Sequence, residues 1–100
     1  MAFYIEIEKL FEREGVHYYH ALTKDAGGAE FYISIDPLKK YITFYLAADC
    51  NTPLKIVDFS DLGSSIEVPG IEFAIVRRVL SCAHRAMKQN EFPQDLSWCS

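Results

Sequence analysis

The chain has 100 residues, of which half are apolar, with a formal net charge of −4 and three cysteines. This length fits one domain with one core, since such a chain buries roughly 60–70% of the surface that its unfolded form exposes. No stretch approaches the roughly 20 apolar residues of a membrane span, the first residues lack the basic region of a secretory signal, and three scattered cysteines favour reduced thiols. We therefore expect a cytoplasmic protein with a single domain over residues 1–100 and no membrane contact.

Charge is distributed unevenly along the chain. Residues 1–76 carry a net charge of −6, residues 77–90 carry +4, and the remaining residues carry −2. An acidic body repels nucleic-acid phosphates and attracts basic partners, because surface potential steers encounter. The composition therefore favours a basic protein partner over nucleic acid.

Two strands are predicted before residue 24. Apolar and polar residues alternate over residues 3–8, which predicts a strand with one apolar face and one face that carries Glu6 and Glu8. A slip in this alternation from Lys9 to Phe11 predicts a bulge or the end of the strand. Gly15 predicts a turn, and residues 16–23 predict a second strand that is partly covered on both faces.

Residues 30–46, EFYISIDPLKKYITFYL, predict a hairpin that follows a glycine-rich turn at residues 24–28. Alternate residues on both sides of the Asp36-Pro37 break are apolar, which is typical of half-buried strands. The apolar set is expected to face the core: Phe31, Ile33, Ile35, Ile42, Phe44 and Leu46. The opposite set is polar and rich in tyrosine, and it includes Tyr32 and Tyr45.

A short fifth strand over residues 54–59 precedes a helix predicted from about Ile71 to Asn90. Apolar residues recur in this segment at three- and four-residue spacing, and Pro93 lies just beyond its expected end. The helix cations fall on the other side: Arg77, Arg78, Arg85 and Lys88. The sequence thus predicts an α+β fold, in which an antiparallel meander of about five strands carries one C-terminal amphipathic helix on one face. The other face then lacks a cover.

Catalysis and metal binding find little support in the sequence. His17 and His20 are three residues apart, so on a strand they point to opposite faces and cannot chelate one ion together. Glu6 and Glu8 stand about 6.5–7 Å apart on one strand face, which is compatible with glycoside hydrolysis, but a solvated strand face is the simpler interpretation. No nucleophile pattern, phosphate loop or zinc-ligand spacing occurs in the sequence. We predict no enzyme activity, no cofactor and no metal.

The uncovered face has three interpretations. Its tyrosines could stack on the bases of single-stranded nucleic acid, but the interleaved charges are glutamates, so the electrostatic contribution is missing. Tyrosine beside acidic residues suits a protein partner, because tyrosine is enriched at interfaces. Cross-strand tyrosine pairs that only stabilise the sheet are the structural alternative.

Three sequence segments occur in a fixed order along the chain. They are E-F-Y-I-S-I-D-P…K-Y-I-T-F-Y at residues 30–45, P-G-I at residues 69–71 before the amphipathic helix, and N-E-F-P at residues 90–93. This layout resembles small bacterial immunity proteins, the cytoplasmic antidotes to toxins of contact-dependent growth inhibition and related polymorphic systems. The resemblance implies an inhibitor that binds a toxin domain, often a nuclease, and blocks its active site or substrate surface.

The predicted partner is therefore a cognate, basic toxin domain. Complementary charge speeds association, which favours contact residues on the acidic, uncovered face. The predicted contact residues are Glu6, Glu8, Tyr32, Tyr45, Asp58 and Asp61. The alternative is a homodimeric sheet protein that binds single-stranded nucleic acid, with tyrosines for stacking and helix arginines for phosphates. Whether a second copy covers the open face is left undecided by the sequence.

Overall fold

The computed structural model describes residues 5–23, 30–46, 52–59 and 66–96. Its elements are β1 (Ile5–Arg13), β2 (Val16–Thr23), β3 (Glu30–Asp36), β4 (Tyr41–Tyr45), β5 (Pro53–Asp58) and α1 (Phe73–Gln89). The five strands form one sheet in the order β1-β2-β3-β4-β5, and each neighbouring pair is antiparallel. The fold is an antiparallel meander with one C-terminal helix, so the predicted α+β class is confirmed.

Local chemistry explains two of the strand connections. Glu14 and Gly15 join β1 to β2 with φ of 52° and 80°, a left-handed conformation that glycine adopts without steric cost. After β3, Asp36 Oδ1 accepts hydrogen bonds from the backbone N–H groups of Leu38 (3.2 Å) and Lys39 (3.1 Å). Such side-chain-to-backbone bonds stabilise turns and end the strand. The turn predicted at residues 24–28 lies outside the described residues.

A bulge divides β1 into two parts. Lys9 is opposite Tyr19 and Phe11 is opposite Tyr18, so Leu10 is an extra residue in the strand. The slip in alternation at this point predicted a bulge or a strand end, and the structure shows the bulge, with the strand continuing to Arg13. Because a bulge changes the parity of the residues that follow, Phe11 lies on the same face as Glu8.

The core lies between the sheet and α1. Five of the six hairpin residues predicted to face it are fully buried: Phe31, Ile33, Ile35, Ile42 and Phe44. The prediction for Leu46 was wrong, because this residue is 57% exposed. β4 ends at Tyr45, and its pairing with β5 shifts register between Phe44 and Tyr45, so the alternation does not continue to Leu46.

α1 covers the sheet with the predicted apolar stripe. Its buried residues are Ile75, Val76, Val79, Leu80, Cys82, Ala83 and Ala86. The helix begins at Phe73 instead of Ile71, which is buried in a short bridge before the first turn. Asn90 ends the helix in a left-handed conformation (φ 54°), which turns the N–H of Glu91 back to the Ala86 carbonyl (3.0 Å). No helix in the described part of the chain is long and apolar enough to cross a membrane.

Residues 91–96, which we call the C-terminal strap, cover the outer edge of β1. The backbone N–H of Lys9 donates to the Gln94 carbonyl (2.6 Å), and the N–H of Leu96 donates to the Ile7 carbonyl (2.9 Å). The Gln94 side chain returns a bond to the Lys9 carbonyl (2.6 Å), and buried Tyr19 donates its hydroxyl to the Pro93 carbonyl (2.8 Å). The strap therefore pairs the edge of β1, which would otherwise expose unpaired backbone groups. Trp98, whose role the sequence left undecided, lies outside the described residues.

Candidate functional site

The sheet has one face that α1 does not cover, which we call the open face. Along each strand, side chains alternate between the buried core and this face, and the cross-strand register shows which residues share it. Its residues in chain order are Glu6, Glu8, Phe11, Arg13, Val16, Tyr18, His20, Leu22, Glu30, Tyr32, Ser34, Asp36, Tyr41, Thr43, Tyr45, Pro53, Ile56 and Asp58. All of them are half-buried or exposed except Ser34, which is 5% exposed.

The structure places five of the six predicted contact residues on the open face. Glu8 lies across from His20, Tyr32 lies across from Tyr45, and Asp58 lies across from Tyr41. Glu6 lies across from Leu22, two residues before Glu8 in the same β1–β2 pair. The face is wide, since Glu8 on β1 and Asp58 on β5 are four strand spacings apart, or about 19 Å. Asp61 lies outside the described residues.

Aromatic rings occupy the middle of the open face. Phe11 stacks on Tyr18 with ring centroids 4.6 Å apart, and His20 lies against Tyr32 at 5.0 Å. Tyr45 leans over its neighbouring strand, because its hydroxyl lies 3.3 Å from Ser34 Oγ. We call these residues the aromatic band: Phe11, Tyr18, His20, Tyr32 and Tyr45. Ser34 lies opposite Tyr18 and contacts the Tyr45 hydroxyl, so two residues of the band flank this buried serine.

Sequence reasoning missed three members of this band: Phe11, Tyr18 and His20. The sequence pattern did allow Phe11 to be assigned to the open face. The slip in alternation at Lys9 moves every later β1 residue to the face opposite the one that simple alternation predicts. The face of Tyr18 and His20 was hidden, since residues 16–23 do not alternate cleanly. Only the pairing of β2 with β3 assigns them, with Tyr18 opposite Ser34 and His20 opposite Tyr32.

The aromatic band is surrounded by carboxylates. We call these the acidic rim, and its members lie on the edge strands or at the ends of β3: Glu6, Glu8, Glu30, Asp36 and Asp58. Arg13 is the only cation among the described residues of the open face, which gives that face a formal net charge of −4. On the other side of the sheet, α1 carries four cations and no carboxylate. The open face and α1 therefore carry formal charges of opposite sign.

Of the two histidines in β2, His20 belongs to the open face and His17 does not. His20 Nε2 lies 2.8 Å from Glu30 Oε2 on the open face. His17 has the parity of the core side, where its ring stacks on Phe92 of the strap at 3.9 Å. The prediction that the two histidines point to opposite faces is confirmed. Among the described residues, no group of three or more histidine, cysteine, aspartate or glutamate side chains is arranged to hold a metal ion.

His17 is held in its neutral form by its surroundings. Burial lowers the pKa of His17 below its ordinary value of 6.5, and the charge of Lys9 lowers it further, while Glu12 opposes the shift. The Glu12 carboxylate lies 3.6 Å from His17 Nδ1, too far for a hydrogen bond, so this buried nitrogen has no hydrogen-bond partner. A proton on the ring would therefore be poorly compensated at the strap.

We expect protonation of His17 to reduce stability as the pH falls below 6.5. Above this value the ring is neutral in both states, so His17 adds no pH dependence. Below pH 6.5 the imidazole of His17 binds a proton in the unfolded chain but stays neutral in the folded chain. The free energy of unfolding therefore falls by at most about 1.4 kcal/mol per pH unit. The fall ends once the pH is below the lowered pKa of the folded state. Urea denaturation between pH 7.5 and 5 should show this loss in the wild type and a smaller loss in His17→Phe, which keeps an aromatic ring against Phe92. Equal pH profiles for the two proteins would contradict the prediction.

Three other features of the described residues carry less chemistry. An open groove before α1 is lined by Glu67, Val68, Pro69, Ile71 and Phe73, and Glu67 is the one ionisable group in that set. Cys82 is a thiol, outside any disulfide, that is buried in the helix stripe. His84 is exposed on α1 with its ring 5.7 Å from that of Phe59, so it lies at the boundary of the core.

Comparisons of the chain with protein-family models, with curated proteins and with solved structures found no significant match. The fold and the site therefore define the molecule at the level of class. It is an α+β protein whose sheet presents an aromatic, acidic face that none of the described elements covers, and whose helix presents a basic one.

Proposed function

We propose that this protein is an inhibitor that binds a basic partner protein through the open face, and that the partner is a toxin domain of nuclease type. The observation that carries the proposal is the aromatic band surrounded by the acidic rim, with a formal net charge of −4. Aromatic residues at the centre of a contact and charges at its border are typical of protein interfaces. The proposed role is binding and not catalysis.

Charge argues for a different protein as the partner and against a second copy through the same face. In a two-fold dimer the same patch meets itself, so the acidic rim of one copy would lie against the acidic rim of the other. Like charges across an interface cost several kcal/mol. A basic surface avoids this cost and is attracted from a distance, which raises the rate of encounter.

The same geometry weakens the nucleic-acid alternative. That alternative uses tyrosines for stacking and helix arginines for phosphates, but Tyr32 and Tyr45 lie on the open face, while Arg77 and Arg85 are exposed on α1 across the sheet. One strand of nucleic acid cannot contact both groups of a single molecule at the same place. The carboxylates beside the tyrosines would also repel its phosphates.

The toxin is suggested by the resemblance of the chain to immunity proteins and by the charge of nuclease domains. A nuclease needs a positive surface to bind phosphates, and an acidic face can occupy that surface in place of the substrate. Inhibition then needs no chemical step, because a bound protein excludes nucleic acid by volume and by charge. Such a role places the protein in the cytoplasm, where an incoming toxin acts.

Coexpression with the domain that the neighbouring reading frame encodes, taken as the candidate toxin, tests this proposal. We expect the protein to restore growth and to form a complex in which Tyr32→Ala combined with Tyr45→Ala lowers affinity at least about 30-fold, the effect of about 2 kcal/mol at an interface hot spot. Phe73→Ala is the matched control, because Phe73 is an aromatic residue on α1 that is 44% exposed. Growth arrest with a folded protein present, or equal losses for both variants, would contradict the proposal. Oligonucleotide binding that falls steeply with salt would support the nucleic-acid alternative instead.

A further inference from the structure

We infer that the open face recognises arginine side chains of its partner, each lying on a tyrosine ring of the aromatic band and pairing with a carboxylate of the acidic rim. This inference rests on the proposed function and specifies the chemistry of the partner. It follows from three features of the described residues: a guanidinium that already lies on the band, carboxylates within reach of the rings, and rings that are held in place.

The protein's own Arg13 shows that the band accepts a guanidinium. Its Cζ atom lies 5.3 Å from the centroid of Phe11, which is the first ring of the band and stacks on Tyr18. A cation within about 6 Å of a ring centroid is attracted by the negative face of the ring. Arg13 occupies one end of the band, so the rings of Tyr32 and Tyr45, which lie on β3 and β4, are left for an external cation.

Carboxylates lie within reach of a cation on Tyr32. Glu30 is on the same face of β3 two residues before Tyr32, or about 6.5–7 Å along the strand. Glu8 lies across from His20, and His20 lies across from Tyr32, so a second carboxylate is two strands away in the same row. A guanidinium on the Tyr32 ring can therefore turn its N–H groups toward Glu30, and a second arginine of the partner can pair with Glu8.

The rings are held before a partner arrives. Glu30 Oε2 fixes His20 Nε2 at 2.8 Å, and the His20 ring lies against Tyr32. Tyr45 is fixed through the contact of its hydroxyl with Ser34 Oγ at 3.3 Å. Groups that are already ordered lose less conformational freedom on binding, which favours affinity.

This arrangement favours arginine over lysine. A guanidinium is planar, stacks on aromatic faces and can pair with a carboxylate through two N–H groups at once. A lysine ammonium is compact and more strongly hydrated, so it gains the attraction of the rim but little from the flat face of a ring. A partner that binds through its overall positive charge alone would not distinguish the two cations.

Two capped nonapeptides that differ only in three arginines or three lysines at the same positions provide the test, by NMR titration of the full-length, isotope-labelled protein. We expect the arginine peptide to bind about two- to fivefold more tightly for each ring contact, with shifts at Tyr32, His20 and Glu30. Tyr32→Leu should bring the ratio of the two affinities close to one, and Phe73→Leu should leave it unchanged. Glu30→Gln, a change of an exposed side chain, should weaken the arginine peptide even if Tyr32→Leu fails to fold.

Equal affinities for the two peptides, shifts confined to α1, or an unchanged ratio in folded Tyr32→Leu would overturn the inference. The outcome of the peptide titration can be distinguished from the outcome of the coexpression experiment. If the protein neutralises a toxin but binds both peptides alike, the function stands and the arginine preference falls. If the protein selects the arginine peptide but protects against no toxin, the arginine preference stands and the proposed function falls.

Discussion

Replacement of Leu96 by alanine is expected to lower the free energy of unfolding by about 3 kcal/mol, within the range of about 2–5 kcal/mol for such truncations in a core. Leu96 is fully buried although it lies near the end of the chain, and its N–H bonds to the Ile7 carbonyl at 2.9 Å. The shortened side chain leaves a cavity that its neighbours fill only partly. Urea denaturation at pH 7.5 measures the change.

Leu38→Ala is the matched control for this truncation. Leu38 is 92% exposed in the turn between β3 and β4, so the same chemical change should alter stability by less than about 0.5 kcal/mol. A loss below about 1 kcal/mol for Leu96→Ala would show that the strap does not contribute to the core in solution. The result also matters for the site, because the strap pairs with the strand that presents Glu6 and Glu8.

Charge reversal of Glu6 and Glu8 together, to lysine, is expected to slow association with the toxin domain at least about tenfold at low salt. Both side chains lie on the open face of an edge strand, where each reversal replaces attraction to a basic partner by repulsion. The difference from wild type should shrink as salt rises, since the Debye length falls from about 30 Å at 0.01 M to about 8 Å at 0.15 M. Stopped-flow mixing over this range of salt measures the on-rate.

A second double variant separates local contact from total charge. Glu67→Lys with Glu72→Lys changes the net charge by the same amount, but these exposed residues precede α1 and lie neither on the sheet nor in the strap. Its association rate should fall much less, because the field of a charge weakens with distance and is screened by salt. Equal slowing by the two double variants would remove the open face from the interface and leave only the overall charge of the chain.

Much of the site followed from short-range patterns in the chain. Tyr32 and Tyr45 share a face because each alternates with buried neighbours, Phe31 and Ile33 in β3 and Phe44 in β4. Glu6 and Glu8 follow the same rule in β1. The rule fails where pairing between strands is irregular. It could not show that Leu46 leaves the core, because that depends on a register shift between β4 and β5.

The sequence by itself determined the elements, the face of the hairpin that is buried and the stripe of the helix, because alternation and helical spacing are local properties of the chain. The tertiary structure decided which rings meet on the open face and what closes the edge of β1. Tyr18 joins Phe11 only through the register around the Leu10 bulge, and Lys9 meets Gln94, a residue 85 positions away. Such contacts depend on how distant segments pair, and no local pattern in this chain encodes them. The aromatic band and the strap therefore became visible only once the strands were in register.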